Sequence, residues 1–272
     1  MPANPEHEIL GQHVAASRAV GGGCIDDARA VELADGTRCF VKFARDADAA
    51  ARLAAEADGL RRLAPHIRVP RVLEEGKRHL ALEWLDMRPP SGPRDAEALG
   101  SALAALHRHH GTAHGLDRDN FIGPTPQENA WSGDWAVFFT ERRLRPLIVR
   151  LGRLPGESGI LRRVAERLAG HHPAPSLLHG DLWSGNHAMA GGAPVVFDPA
   201  VYFGDAEADL AMLELFGPRL GDAFWRGYGG EPNGREARRP VYDLYHALNH
   251  LIIFGPSYEG MVRGSVAKLG GE

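Results

Sequence analysis

Apolar residues fall at strand-like spacing through most of the first 85 positions and at helical spacing over most of the rest. Residues 28–33 and Arg38–Phe43 are short apolar-rich runs separated by Ala34-Asp35-Gly36-Thr37, whose Asp-Gly pair marks a β-hairpin. Upstream, Gly21-Gly22-Gly23-Cys24 makes a flexible turn between the region 14–20 and the first of those strands. Residues 46–64 are Ala-rich and carry acids in the first turn, where the helix dipole favours them. Leu53, Leu60 and Leu63 define the buried face of that helix, and Glu56 stands three, four and seven residues from them. An acid on a leucine stripe points inward, so it needs a partner. Residues 69–72 and 79–85 read as two further strands.

Met87-Arg88-Pro89-Pro90-Ser91-Gly92-Pro93 breaks the pattern and divides the chain into residues 1–86 and 87–272. Beyond it, helices are expected at 95–110, 133–151, 160–169, 206–216 and 241–254. The first of them has Leu99, Leu103 and Leu106 on one face. A short β insertion interrupts them: residues 177–179, then 187–189, a Gly191-Gly192 turn, and 195–198. There is no internal repeat and no low-complexity tract. The pattern implies an α+β protein, a small lobe of antiparallel sheet with one main helix followed by a larger helical lobe.

The length of 272 residues, with 44% apolar and 24% charged residues, is that of an ordinary globular chain and excludes collagen-like and disordered classes. A net charge of −4 gives no footing for a nucleic-acid partner. No apolar run is long enough for a membrane helix, and MPANPEHEIL lacks the apolar core of a signal peptide. With two cysteines, Cys24 and Cys39, a disulfide framework is excluded and a cytoplasmic location is expected. Only three of the 31 basic residues are lysine (Lys42, Lys77 and Lys268), which draws attention to each of them.

The densest polar cluster is His179-Gly180-Asp181-Leu182-Trp183-Ser184-Gly185-Asn186, with Asp198 twelve residues later. An Asp and an Asn five apart on a loop, then an Asp closing a strand, suit phosphoryl transfer to a hydroxyl. Asp181 can accept the hydroxyl proton, while Asn186 and Asp198 supply hard oxygen ligands for Mg²⁺. Protein kinases use H-R-D-x-x-x-x-N and a later D-F-G for these tasks. Here Gly180 replaces the Arg, and Pro199-Ala200 follows Asp198, a variation that marks small-molecule kinases on the protein-kinase fold. The same residues can instead make plain turns, but the N-terminal half supplies the remaining parts. Lys42, on the strand after the hairpin, can reach ATP phosphates, and inward-facing Glu56 is its natural ion-pair partner. The glycine run lies one hairpin before Lys42, where a phosphate-covering loop belongs, although Asp26 occupies the place of its third glycine.

On these residues the chain resembles the fructosamine kinase (ketosamine-3-kinase) family, relatives of the aminoglycoside phosphotransferases. The resemblance runs from Gly22-Gly23-Cys24-Ile25 through Val41-Lys42-Phe43 to the C-terminal helix. Its most specific stretches are Asp119-Asn120-Phe121-Ile122-Gly123-Pro124-Thr125-Pro126-Gln127 with Trp131 and Asp134-Trp135, then residues 179–186. Phe197-Asp198-Pro199-Ala200, Gly204-Asp205 and Asp209-Leu210-Ala211-Met212 complete it. It implies a protein-kinase-like fold and ATP-dependent phosphorylation of the sugar 3-hydroxyl of a ketosamine, free or on a glycated protein lysine, which leads to deglycation. Carried over by position, Asp181 is the base, Asn186 and Asp198 hold Mg²⁺, Lys42 holds phosphates and Glu56 positions Lys42. Gly22, Gly23 and Cys24 cover the phosphates, and Glu83, Trp84 and Leu85 form the adenine-contacting hinge. Trp183 walls the acceptor pocket, and Asp134 and Asp205 are candidates to pair with the substrate ammonium, unless they serve as helix caps or turn residues. Asp209 is expected to brace the catalytic loop. Cys24, among glycines beside phosphate, is either a small turn residue or a redox switch that links two otherwise monomeric chains by a disulfide.

Other readings remain in view. A kinase of another small alcohol, such as an aminoglycoside or a choline-like compound, would use the same machinery with a different acceptor pocket. An ATP-binding pseudoenzyme would have lost one of Lys42, Asp181, Asn186 or Asp198, and all four are present. Gly76-Lys77-Arg78 is not a Walker loop, and His246-Ala-Leu-Asn-His250 lacks the Glu of a zinc-protease helix.

Overall fold

The computed structural model describes residues 8–20, 27–152 and 159–270. Strands β1 (Glu8–Ile9), β2 (Gln12–Ala19), β3 (Asp27–Leu33) and β4 (Arg38–Phe43) form a meander, and β4 leads to helix α1 (Ala47–Leu63). Asp46 caps α1 by accepting the Ala49 N–H at 2.7 Å, as its acidic start suggests. β5 (Val72–Glu75) and β6 (His79–Glu83) complete an antiparallel six-stranded sheet in the order β1-β2-β3-β4-β6-β5. The strand expected at 69–72 begins three residues later, because Pro70 has no N–H to donate to a ladder.

The chain leaves the sheet through β7 (Met87–Arg88) and enters α2 (Gly92–His107). The Pro/Gly break is thus partly a helix start: Pro93 sits in the first turn, where its missing N–H costs nothing, and the Asp95 carboxylate accepts the Ser91 N–H. A small hairpin follows, β8 (Asn120–Ile122) with β9 (Thr125–Gln127), which the hydrophobic pattern did not reveal. The helix expected at 133–151 is α3 (Trp135–Phe138), a wide π turn at Phe139–Leu144, and α4 (Arg145–Leu151). Pro146 lies at the start of α4, and a prolyl ring inside a regular helix would clash with the preceding turn, which the widened turn avoids.

After α5 (Ile160–Leu168), the β insertion supplies β10 (Ser176–Leu178), β11 (His187–Ala190), β12 (Ala193–Val196) and β13 (Tyr202–Gly204). β11 pairs with both β12 and β7, and β10 with β13. Helices α6 (Ala206–Leu215), α7 (Asp222–Tyr228), α8 (Arg235–Phe254) and α9 (Glu259–Lys268) close the C-terminal lobe. α8 begins six residues ahead of the expected start and carries Pro240 inside it. Ion pairs of Arg235 and Arg239 with Glu214, and of Arg238 with Glu207, fasten that first stretch to α6 and offset the lost backbone bond. One apolar cluster joins Leu53 and Leu60 of α1 to Leu103 of α2 and Leu182 of the catalytic loop. Burial therefore ties the two lobes together behind the cleft between them. No helix among the described residues is long and apolar enough to cross a membrane.

Candidate active site

Lys42 lies on β4 in the interior of the sheet, opposite Ala28 of β3 and Leu80 of β6, and its side chain lines the interlobe cleft. Its ammonium meets both Glu56 oxygens at 2.8 Å and Asp198 Oδ1 at 2.7 Å. The partner required by an acid on the leucine stripe of α1 is thus Lys42. Burial opposes the charge on Lys42, but the carboxylates of Asp198 and Glu56 more than reverse this and raise its pKa. Burial likewise pushes Asp198 up, and Lys42 reverses it, holding that carboxyl below its usual range. The cation is thus held charged.

The opposite wall is the loop between β10 and β11. Gly180 has φ +83°, and a side chain there would collide with the Ala200 carbonyl oxygen; this is the physical reason that the Arg of protein kinases is absent. The Asp209 carboxylate accepts the N–H groups of His179 and Gly180 at 2.7 and 2.9 Å. It is itself met by His107 at 3.2 Å, and His107 by the Tyr228 hydroxyl at 2.9 Å. His179 accepts the Asp181 N–H through Nδ1 and donates from Nε2 to the Phe197 carbonyl, so the ring is neutral, and burial lowers its pKa. Asp209 and His179 thus brace the loop.

Asp181 is half-buried at the cleft, and burial, with Asp198 and Asp209 nearby, pushes it up to about 7. Asn186 donates from Nδ2 to the Asp181 carbonyl at 2.9 Å and to its carboxylate at 3.3 Å. That leaves the amide oxygen of Asn186 available, and both Asn186 and Asp198 line the cleft. Asp198 has φ +58°, a left-handed conformation that Asp tolerates better than most residues and that turns its side chain off the strand. An amide oxygen and a carboxylate facing one cavity form a hard donor set that fits Mg²⁺.

The cleft has a volume of about 460 Å³, within the usual range for small-molecule sites. Glu83, Trp84 and Leu85 line it from the N-terminal lobe, while Trp183, Phe121, Asn249 and Phe254 line it from the C-terminal lobe. A side chain at Gly185 would collide with the Trp183 indole, so the ring rests on the loop backbone. Gly22, Gly23 and Cys24 lie outside the described residues.

Two expected acceptor contacts are not in the cleft. Asp134 is exposed and caps α3 by accepting the Val137 N–H at 2.8 Å. Asp205 is 3% exposed and caps α6 through the Glu207 N–H at 3.0 Å. It also accepts from the Tyr242 hydroxyl and meets His171 Nε2 at 2.6 Å. Both carboxylates are used by their own helix starts, so the alternative of a cap holds and the pairing with a substrate ammonium is withdrawn.

Conversely, the sequence assigned no role to the buried amides that support the segment just after Asp198. Gln127 donates to Asn120 Oδ1 and to the Ala200 carbonyl, and Asn120 donates to the Val201 carbonyl. Asn129 joins at Asn120, Arg143 at Asn129, and the Tyr245 hydroxyl donates to Gln127 Oε1. The network grips the chain two and three residues after Asp198. Its signal was present in the specific stretch 119–127, without a mechanism attached to it.

Comparison with known proteins agrees with this geometry. The profile of the fructosamine kinase family matches residues 5–270. A probable ketoamine kinase of Synechocystis sp. is 41% identical over 259 residues, covering 89% of this chain and 86% of that protein. One from Escherichia coli is 39% identical over 229 residues, covering 79% of each. A Thermobifida fusca crystal structure assigned to fructosamine-3-kinase superposes with a TM-score of 0.83 at 36% identity, covering 96% of this chain and 95% of that one. A macrolide 2′-phosphotransferase from Brachybacterium faecium, at 18% identity and a TM-score of 0.63, covering 95% and 93%, shares the fold. With nearly the whole length matched in profile, sequence and shape, the chain belongs to the fructosamine kinase family.

Proposed function

We propose that this protein transfers the γ-phosphoryl group of ATP to the 3-hydroxyl of a ketosamine. The observation that carries the reading is the Lys42–Glu56–Asp198 ion triad standing across one cleft from Asp181 and Asn186. Lys42 binds phosphate oxygens and Glu56 keeps it on station. Glu83, Trp84 and Leu85 receive the adenine. Asn186 and Asp198 would hold Mg²⁺, which supplies neutralisation of charge on the phosphates. Asp181 takes the proton of the sugar hydroxyl as its oxygen forms a bond to the γ-phosphorus and the bond from that phosphorus to the β–γ bridging oxygen breaks, releasing ADP. Positioning and electrostatics carry most of such a reaction. The phosphate on carbon 3 is then a leaving group beside an enolisable ketone. Its expulsion and hydrolysis of the resulting imine free the amine, which is deglycation.

The acceptor end supports a sugar carrying one amine rather than a polycationic aminoglycoside. Among the described residues it presents the aromatic rings of Trp183, Phe121 and Phe254 and no carboxylate beyond those already assigned to catalysis. The test is ADP release with Mg-ATP over ribulosyl-, erythrulosyl- and fructosyl-lysine, free and within a glycated protein, with Asp181→Ala as control. Turnover that disappears in the variant is the expected result. Silence across the panel with ATP still bound would move the acceptor to another class of alcohol, and aminoglycosides and amino alcohols would be assayed next.

A further inference from the structure

We propose that Asn249 is a specificity-determining residue of the acceptor site, its side-chain amide reading a second hydroxyl of the sugar beside the one that is phosphorylated. The proposal rests on the ketosamine kinase reading and assigns part of its acceptor recognition to one residue.

Asn249 lies near the C-terminal end of α8, one turn beyond Tyr245, and is 2% exposed. Its Oδ1 has no hydrogen-bond partner among the described residues. A buried amide oxygen left unpaired is costly, and native structures rarely carry one without a reason. The contrast with its neighbours is sharp. The buried amide oxygens of Asn120, Gln127 and Asn129 are all met by protein donors. Asp243 and His246, on the same helix, also carry an unpaired atom, but neither lines the cleft, whereas Asn249 does. It shares that cavity with Asp181 and Trp183.

The chemistry of the amide selects the ligand group. Oδ1 accepts and Nδ2 donates, the complement of a hydroxyl, which does both. A substrate ammonium would also satisfy Oδ1, but carrying a charge against a buried neutral group incurs a desolvation penalty that a hydroxyl avoids. The sugar chain of a ketosamine offers neutral hydroxyls next to carbon 3. A site built to bond a hydroxyl discriminates strongly against the analogue without it, because its own polar group is then left unpaired.

The test is a cycle between Asn249→Leu and ketosamines lacking one sugar hydroxyl at carbon 4, 5 or 6. Steady-state kinetics are read beside the melting temperature and Mg-ADP affinity. Asn249→Leu removes an unpaired buried amide, so the melting temperature is expected to hold or rise, while kcat/KM for fructosyl-lysine falls by about 10- to 100-fold. One deoxy analogue is expected to cost the wild type a similar factor and to cost the variant almost nothing further. A variant within twofold of wild type on fructosyl-lysine overturns the proposal. So does a lowered melting temperature with an equal loss on every analogue, the mark of a structural role. Where Asn249→Leu does not fold, Asn249→Ala carries the same cycle. A wild type silent on every ketosamine overturns the functional reading, and the hydroxyl assignment with it, before any variant is compared.

Discussion

The two ends of the cleft are built differently. At the nucleotide end the charged groups are already matched: Lys42 holds Glu56 and Asp198 at 2.7–2.8 Å. The loop carrying Asp181 hangs on Asp209 by two backbone bonds. Trp183 and Phe254 line the same cleft as Asn249, whose buried amide oxygen has no hydrogen-bond partner among the described residues. ATP is one ligand with fixed charges, so its site can be organised in advance by ion pairs. An acceptor is recognised by neutral donors and ring faces, and there the protein leaves its polar group open. On the proposed function, electrostatics would place the phosphates and unmet hydrogen bonding would select the alcohol.

Four substitutions sharpen or break this contrast. Asp181→Ala stands at the junction of the two ends and is expected to lower kcat by about a thousandfold with Mg-ATP affinity retained, as read by calorimetry beside turnover. A loss smaller than tenfold would remove Asp181 from the role of base. Next, Lys42→Met leaves two carboxylates facing each other across the place of the cation. A fall of about a hundredfold in kcat/KM for ATP is expected, with the acceptor KM unmoved; a change confined to the acceptor KM would erase the distinction between the ends.

Gln127→Leu reaches the site through another residue. It leaves the Ala200 carbonyl and the Tyr245 hydroxyl without a partner, at about 1–3 kcal/mol of stability in chemical denaturation. The segment between β12 and β13 that bears Asp198 is loosened, and kcat is expected to drop by about tenfold with a steeper dependence on Mg²⁺ concentration. Stability lost with an unchanged Mg²⁺ profile would confine the network to folding. The smallest kinetic effect belongs to Asp134→Ala, which loses a helix cap worth about 1 kcal/mol and shifts the acceptor KM by less than twofold. A large rise in that KM would return Asp134 to the acceptor site.

Much of the nucleotide end was legible in the chain. Lys42 on a strand, Glu56 on a leucine stripe, and Asp181, Asn186 and Asp198 at their loop spacing are all local statements. Periods of two and 3.6 residues fix which way a side chain points. A five-residue offset within one loop keeps two groups near each other whatever the rest of the chain does. Element boundaries were less legible where proline governs them. Pro70 delayed a strand, Pro93 began a helix inside an apparent linker, and Pro240 was carried within α8 because ion pairs to α6 hold it there.

The acceptor end was not legible, and Asp134, Asp205, Gln127 and Asn249 show why. A carboxylate at a helix start has a local use as a cap and a distant use as a ligand, and sequence alone presents both. Asp205 is decided by His171 and Tyr242, which lie 34 and 37 residues away. Gln127 finds its partners 73 and 118 residues away. Asn249 is marked only by a buried amide oxygen without a partner among the described residues, where those of Asn120, Gln127 and Asn129 have one. By itself the sequence determined that Lys42, Glu56, Asp181, Asn186 and Asp198 gather at one cleft and the two-lobed plan, because periodicity and short loops act over a few residues. The tertiary structure alone decided which of several chemically equivalent polar groups faces the substrate, because hydrogen-bond partners and burial come from segments that only packing brings together.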